Sequence, residues 1–217
     1  MNQSPEKKTG YFSSRKLLLL LFGLFYIISV VAYALSDDKK PEKLPPLEQT
    51  IKDNQDSVVS AQAFLKVYKV LMSPRCMNCH PAGDVPLQGD DSHLHTMLPQ
   101  RGKEGKGIYA MKCGNCHQPK NTPGLNMPPG NPNWHLPPAD MKMVFEGKSA
   151  RELAKQLTDP EQNGHKDLKK LLEHADDDLV LAGWNPGEGR TLPPMSHKEF
   201  KQAWTTWIKK GAYAPKQ

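Results

Sequence analysis

Two copies of one pentapeptide constrain this chain more than any other feature of its sequence. Residues 76–80 (CMNCH) and 113–117 (CGNCH) both read Cys-x-x-Cys-His, and together they contain all 4 cysteines of the 217 residues. Attachment of haem c needs two thiols at one edge of the porphyrin, to form thioethers with its vinyl groups, and an imidazole that reaches the iron from the same turn. Each pentapeptide supplies all three groups, so the sequence predicts two covalently bound haem c groups.

In this prediction six residues have fixed roles. The cofactor-binding thiols are those of Cys76, Cys79, Cys113 and Cys116, and the iron ligands are His80 and His117. No catalytic residue is expected, because the cofactor itself carries the electron.

Three other uses of paired cysteines fit the sequence less well. Zinc sites built from two CxxC pairs usually separate them by about 15–20 residues, whereas 33 residues lie between Cys79 and Cys113, and zinc gives no reason for the two histidines. Thioredoxin-like chemistry would need one CxxC in a βαβ pattern, which neither pair shows. Disulfides within each pair would close very small loops and would stabilise the fold little.

The second axial position of each iron has several candidate ligands. His95 and His135 are favoured because both lie in loops where no amphipathic pattern explains them. Met127, followed by two prolines, is their main competitor, and a methionine ligand would raise the reduction potential relative to a bis-histidine iron. His174, in a charged helix, is expected to be solvated. The other candidates are His93, Met97, Met141, Met143, His165, Met195 and His197.

The N-terminus has the pattern of a membrane-targeting signal. Residues 1–16 form a basic, cytoplasmic n-region, and residues 17–35 contain no charged side chain. As a helix this segment would extend about 28 Å, close to the roughly 30 Å of a hydrocarbon core, yet Ala32-Tyr33-Ala34 also fits a signal-cleavage site. The segment is therefore predicted to be a transmembrane anchor or a signal peptide. In both cases the remaining residues lie outside the cytoplasm.

Composition indicates a loop-rich domain without a strong charge. The chain has 20 prolines and 16 glycines, and its formal charge of +6 lies half within the first 35 residues. No basic face is implied, so no nucleic-acid partner is expected. Two large apolar macrocycles would supplement the core of a chain that is only 37% hydrophobic, because burying their surface is favourable.

The residues after the apolar segment divide into a linker and one domain. Residues 36–55 are polar and contain three prolines, which predicts a linker, and residues 56–217 form the predicted dihaem cytochrome c domain. Helical periodicity predicts a helix from Asp56 to Ser73-Pro74 and a shorter one from Gly107 into Cys113. Residues 81–106 and 121–140 are predicted to be loops.

Later helices have clear start signals. Ser149 and Ser196 each precede a glutamate by three residues, which predicts capping boxes, and the second helix has an aromatic face. A further helix is predicted from Lys166 to His174, and no segment alternates long enough to predict a strand. The predicted fold class is mainly α with long loops: a dihaem cytochrome c-like domain after an N-terminal transmembrane or signal helix.

Four segments resemble a known family. Residues 73–91, 113–118, 128–138 and 183–187 are similar to a bacterial family of exported dihaem cytochromes, often labelled as an isoquinoline oxidoreductase subunit, and the resemblance covers about residues 70–215. It implies a periplasmic protein at the inner membrane, anchored or released after signal cleavage. It also implies a redox partner, namely a periplasmic molybdopterin-type hydroxylase or aldehyde dehydrogenase that donates electrons.

The expected function is electron transfer from such a dehydrogenase toward the respiratory chain. The chain has no molybdenum, flavin or iron–sulfur motif, so it is not expected to be an enzyme, although it could be the electron-transfer subunit of one. A dihaem peroxidase-like enzyme is the alternative, but such enzymes carry their haems on two domains, and only 37 positions separate Cys76 from Cys113. A haem-containing sensor or assembly subunit is a third possibility that no sequence feature favours.

Overall fold

The described part of the chain is mainly helical, as predicted. The computed structural model describes residues 23–27, which are helical, and residues 46–216. The predicted n-region, the cleavage site at residues 32–34 and residues 36–45 of the predicted linker lie outside this range. Within the described residues, no helix combines the length and the hydropathy that crossing a membrane requires.

The first long helix, α1 (Leu47–Leu71), begins earlier than predicted. The prediction of a linker to residue 55 is therefore wrong for residues 47–55, which are helical and exposed. This stretch contains no proline or glycine, and Gln49 Nε2 donates to Asp53 Oδ1 at 2.7 Å across one helical turn. Local helix propensity and an i,i+4 pair are enough to extend the helix without burial. The compact unit starts at Leu47 rather than at residue 56.

The end of α1 leads directly into the first pentapeptide. Leu71 is its last residue, and Pro74 opens the short helix α2 (Pro74–Met77), where a proline is tolerated because the first turn needs no backbone donor. The predicted end at Ser73-Pro74 is thus confirmed. Cys76 lies within α2, so the orientation of α1 sets the position of the first thiol.

The core lies between α1 and three later helices: α3 (Ala150–Thr158), α4 (Leu168–His174) and α6 (His197–Lys209). Phe64 of α1 and Trp207 of α6 are fully buried, with ring centroids 4.6 Å apart. Both predicted capping boxes are confirmed, because Ser149 and Ser196 each exchange hydrogen bonds with the glutamate three residues on. The predicted aromatic face of α6 is the face that is buried.

One predicted helix does not form. The segment from Gly107 to Lys112 is a turn, and only Cys113–Asn115 make a 3₁₀ turn. Gly107 and Tyr109 have φ of +80° and +49°, and two left-handed residues interrupt a right-handed helix, whose φ is about −63°. The apolar residues of this segment therefore lie in a loop, although their spacing is that of a helix.

Several short elements were not predicted. Strand β1 (Leu87–Gln88) pairs antiparallel with β2 (His93–Leu94), with Leu87 opposite Leu94. Two residues are too few for alternation to be visible in a sequence. The short helix α5 (Asp178–Leu181) continues into a 3₁₀ turn at Ala182–Trp184. Residues 121–140 contain neither helix nor strand, as predicted.

Candidate functional site

A large cavity of about 970 Å³ opens beside α2. This volume is at the upper end of the roughly 300–1,000 Å³ of small-molecule sites. Much of its wall is apolar, with leucines from several segments and the indoles of Trp184 and Trp204. The cavity is also lined by every residue of the predicted site: Cys76, Cys79, His80, Cys113, Cys116 and His117.

The first pentapeptide begins in the last two residues of α2 and continues as a tight turn. The backbone amide of Cys79 donates to Cys76 O at 3.2 Å, and that of His80 donates to Met77 O at 2.9 Å. Burial, reinforced by the neighbouring Cys79 thiol, raises the pKa of Cys76 to about 12, and burial raises the pKa of Cys79 to about 11. Both thiols are therefore neutral near pH 7.

The imidazole of His80 is held by two contacts. Its Nδ1 lies 2.7 Å from the Met143 carbonyl oxygen, which can only accept, so Nδ1 carries the proton and Nε2 keeps a free lone pair. The ring also stacks on Phe145, with centroids 3.9 Å apart and planes 6° apart. Burial lowers the pKa of His80 to about 4, so the ring is neutral at pH 7, as a metal ligand must be.

His117 is held in the same way. Its Nδ1 donates to the Pro129 carbonyl oxygen at 2.7 Å, and its ring stacks on Trp134 with centroids 4.1 Å apart and planes 6° apart. Burial lowers its pKa as well. Histidines that bind metals usually donate their other ring N–H to a carbonyl or carboxylate, which fixes tautomer and orientation. Both pentapeptide histidines have this arrangement.

One continuous segment provides the supports of both histidines. Pro129 and Trp134 hold His117, and Met143 and Phe145 hold His80, so all four supports lie within residues 129–145. We call residues 129–145 the supporting segment. Most of it belongs to residues 121–140, the proline-rich stretch that the sequence predicts to be a loop, and this irregular backbone leaves carbonyls free to accept from imidazoles.

The two pentapeptides differ in exposure. All residues of the first are half-buried, whereas Gly114, Asn115 and Cys116 of the second are exposed. Cys76 also packs against the helical core. The first half of the site is thus part of the interior, and the second half lies at the surface.

The two favoured distal candidates both line the cavity, but their surroundings differ. The ring centroid of half-buried His95 lies 6.4 Å from that of His117. Two imidazoles on opposite sides of one metal would have centroids roughly 6.3 Å apart, given metal–nitrogen distances of about 2.0 Å. His95 Nδ1 accepts from the Met97 amide at 3.2 Å, so ligation through Nε2 would move the ring proton to Nδ1. His135 is half-buried, and its Nδ1 donates to the Asn133 carbonyl.

Other candidates are less well placed. Met127 is 42% exposed and does not line the cavity, although its neighbours Asn126 and Pro128 do. His93 forms an exposed pair with Asp91, and His197 donates to the Ala175 carbonyl oxygen. Of the remaining methionine candidates, Met195 does not line the cavity. The other three do: Met97, Met141 and Met143.

Two buried polar atoms in the cavity wall have no hydrogen-bond partner within the described part of the chain. Arg75 Nε and Asn78 Oδ1 are buried and unpaired, and both residues line the cavity. The Arg75 side chain is only 7% exposed, and its Nη2 donates to Asp90 Oδ1 at 2.6 Å. An unpaired buried guanidinium nitrogen is unfavourable unless a ligand supplies an acceptor. A large apolar group that carries carboxylates, such as haem with its propionates, fits this wall.

None of the four cysteines, all of which lie in the described part of the chain, forms a disulfide. Among the described residues, no three or more His, Cys, Asp or Glu side chains are grouped so that they could hold a metal ion. Comparisons with protein-family models, curated proteins and solved structures find no match to this chain. The family resemblance of residues 70–215 therefore stays a prediction from the sequence.

Sequence reasoning did not find several residues of the site. Phe145 and the carbonyls of Pro129 and Met143 gave no signal, because their roles depend on contacts between distant segments. His174 differs most from its prediction: it was expected to be solvated, but it is half-buried and lines the cavity. Its spacing of three residues from apolar Leu171 was the available signal.

Proposed function

We propose that this chain is a c-type cytochrome with two haems that carries electrons between partner proteins. One observation carries the proposal: two Cys-x-x-Cys-His turns line one large cavity, and each of their imidazoles is neutral, fixed by a carbonyl and stacked on an aromatic ring. Cys76 and Cys79 would bind one haem with His80 as iron ligand. Cys113 and Cys116 would bind the other with His117.

The chain's own residues have three tasks in this proposal. The four thiols would add to the vinyl groups of the two haems to form thioethers, which would fix each haem at one edge. The supporting segment holds both imidazoles with Nε2 free, and the leucines and indoles of the cavity exclude water. When bound, haem supplies one-electron chemistry over a range of potentials that axial ligands and burial adjust.

The shared cavity supports a carrier that receives and releases electrons at different places. Both pentapeptides face the same space, so two haems held there would be neighbours, and an electron received at the exposed second pentapeptide would pass to the first inside the protein. Following the family resemblance, we propose a periplasmic molybdopterin-type dehydrogenase or hydroxylase as donor and the respiratory chain as destination. The membrane contact would be made by residues 17–35.

Haem content tests this proposal directly. We would express the full chain with the cytochrome c maturation system and measure its mass and its pyridine haemochrome spectrum. The expected result is two haems, falling to one in the pair variant Cys113→Ser/Cys116→Ser and in the matched variant Cys76→Ser/Cys79→Ser. A chain that carries one haem or none when all four cysteines are present would overturn the proposal.

A second measurement separates the carrier from a peroxidase-like enzyme. A peroxidase needs an iron with an open or displaceable sixth position, whereas a carrier does not. His95 beside His117 favours a filled position at the second haem. We therefore expect the reduced protein to bind little carbon monoxide and to turn over no peroxide. Rapid peroxide turnover would show that the function is catalysis and would contradict the proposal of an electron carrier.

A further inference from the structure

We propose that His174 is the sixth ligand of the iron held by His80, and that Asp177 positions it for this role. The inference rests on the proposed function, since it concerns the same haem. It assigns a ligand that the sequence places at the surface of a charged helix. Four features of the structure lead to it.

The first feature is the position of His174 on α4. His174 is the last residue of this helix and lines the cavity together with Leu171 and Ala175. Leu171 is three positions before His174, so the two side chains lie on the same side of the helix. Leu171 and Ala175 are 1% and 3% exposed. The side of α4 that carries His174 is therefore the side that faces the cavity.

The second feature is the rigid attachment of α4. Asp167 accepts from the Lys170 amide at 2.7 Å and caps the start of the helix. Trp204 Nε1 donates to Leu171 O at 2.7 Å, and His197 Nε2 donates to Ala175 O at 2.8 Å. Two side chains of α6 thus hold the backbone on either side of His174. A ligand must be held in this way to keep its geometry.

The third feature is the tautomer of His174. Its Nδ1 lies 2.5 Å from Asp177 Oδ2, and a carboxylate only accepts, so Nδ1 donates and Nε2 is the nitrogen that remains for a metal. Asp177 is the residue before α5, yet its carboxylate makes no capping bond to that helix. It bonds to His174 instead. A carboxylate that accepts from the second nitrogen of a histidine is a frequent support of metal ligands.

The fourth feature is proximity to His80. His80 stacks on Phe145, and Phe145 belongs to the same buried apolar cluster as Leu171 and Ala175, the two residues on either side of His174. His95, by contrast, lies beside the other pentapeptide histidine, His117, with ring centroids 6.4 Å apart. His165 also lines the cavity, but its side chain is 70% exposed and its nearest carboxylate, Glu161, is 3.9 Å away. His174 is the better-supported partner of His80.

Substitution of His174 gives the central test, with spectroscopy rather than activity as the readout. In His174→Ala we expect two haems by mass, one of the two irons converted from low spin to high spin in electron paramagnetic resonance, and carbon monoxide binding to half of the reduced haem. Added imidazole should restore the low-spin signal. The control His165→Ala, at a cavity-lining but exposed histidine, should leave both irons low-spin.

Two further variants keep the test decisive if His174→Ala folds poorly. In His174→Met we expect a methionine–iron charge-transfer band and a higher reduction potential for one haem only. In Asp177→Asn we expect both irons to stay low-spin while one potential rises, because a weaker acceptor makes the imidazole a poorer donor. A purely structural role for Asp177 would not move one potential alone.

Failure of the inference differs from failure of the proposed function. Two low-spin haems in His174→Ala, with the methionine band absent from His174→Met, would overturn the ligand assignment while leaving the dihaem cytochrome intact. The same applies if His135→Ala, rather than His174→Ala, produces the high-spin iron. Absence of haem from the unsubstituted protein would instead overturn the function on which the inference rests.

Discussion

Single side chains determine how each pentapeptide histidine is oriented. A carbonyl accepts from Nδ1 and an aromatic ring covers one face, so an imidazole with both contacts has little freedom to rotate. Phe145 is 5% exposed and belongs to the helical core, whereas Trp134 is half-buried. Trp134 is thus the support that can be removed with less damage to the fold.

Replacing Trp134 should affect one haem more than the fold. In Trp134→Ala we expect the low-spin resonance of one haem to broaden, because the His117 ring loses its stacked neighbour. An aromatic pair contributes about 0.5–1.5 kcal/mol beyond its buried area, so the midpoint of unfolding should fall modestly. Trp134→Phe is the matched control and should preserve the narrow resonance. Identical spectra in all three proteins would contradict a role for stacking.

At the scale of elements, α1 and α6 are joined by a buried serine. Ser60 Oγ donates to Trp207 O at 2.8 Å and accepts from the Tyr213 amide at 3.0 Å. It thereby satisfies two backbone groups that have been removed from water. This serine does not line the cavity. Its substitution therefore tests the stability of the helical core without changing the residues of the site.

Ser60→Ala should lower stability without changing the haems. Leaving buried polar groups unpaired costs about 1–3 kcal/mol, and we expect a loss of this size in denaturant unfolding, with both haems and both potentials preserved. Ser57→Ala provides the control, since Ser57 lies on the same helix and bonds only to Asn54 O of the preceding turn. Equal losses in the two variants would show that the buried bonds contribute little.

A glycine in the proline-rich loop sets the position of the Pro129 carbonyl. A Cβ at Gly130 would lie 2.1 Å from the backbone carbonyl of Lys120, which only a backbone shift could relieve. The Gly130 amide also donates to Asn121 Oδ1 at 2.8 Å. The loop therefore passes too close to its neighbour to accept any side chain here.

Gly130→Ala should disturb His117 through the backbone. We expect a loss of about 1–3 kcal/mol, as for other overpacked positions, together with a shifted reduction potential for at least one haem. Gly114→Ala is a useful control, because a Cβ there meets nothing within 4 Å although the residue lies inside the second pentapeptide. An unchanged potential in Gly130→Ala would mean that the carbonyl does not control the ligand.

At the scale of the whole molecule, the two halves of the site contribute unequally to the fold. Cys76 and Met143 pack against the helical core, whereas most of the second pentapeptide is exposed. Burial of apolar surface stabilises a fold roughly in proportion to its area. A group bound at the first pentapeptide should therefore stabilise the protein more than one bound at the second.

Removing one haem at a time tests whether the first haem stabilises the protein more than the second does. We expect Cys76→Ser/Cys79→Ser to lower the unfolding midpoint further than Cys113→Ser/Cys116→Ser does, with mass spectrometry to verify one remaining haem in each. The two variants change the same atoms, so each serves as the control of the other. Equal midpoints, or a larger loss at the second pentapeptide, would contradict the argument from burial.

Features that depend on neighbouring residues could be predicted from the sequence, whereas features that depend on contacts between distant residues could not. The capping boxes at Ser149 and Ser196 and the aromatic face of α6 depend on near neighbours, and these predictions are confirmed. The helix predicted after Gly107 failed because the left-handed Tyr109 leaves no mark in the sequence. The support of His80 by Met143 joins residues 63 positions apart, and no local pattern encodes such a contact.

The supporting segment has a consequence for how the two irons can be adjusted. Residues 129–145 hold both imidazoles through one uninterrupted stretch of backbone. A displacement that begins at either end, from a substitution or from a docked partner, is transmitted along the same covalent path. In the proposed dihaem protein the two reduction potentials would therefore be linked through this backbone, and a partner that binds to it would change both potentials together.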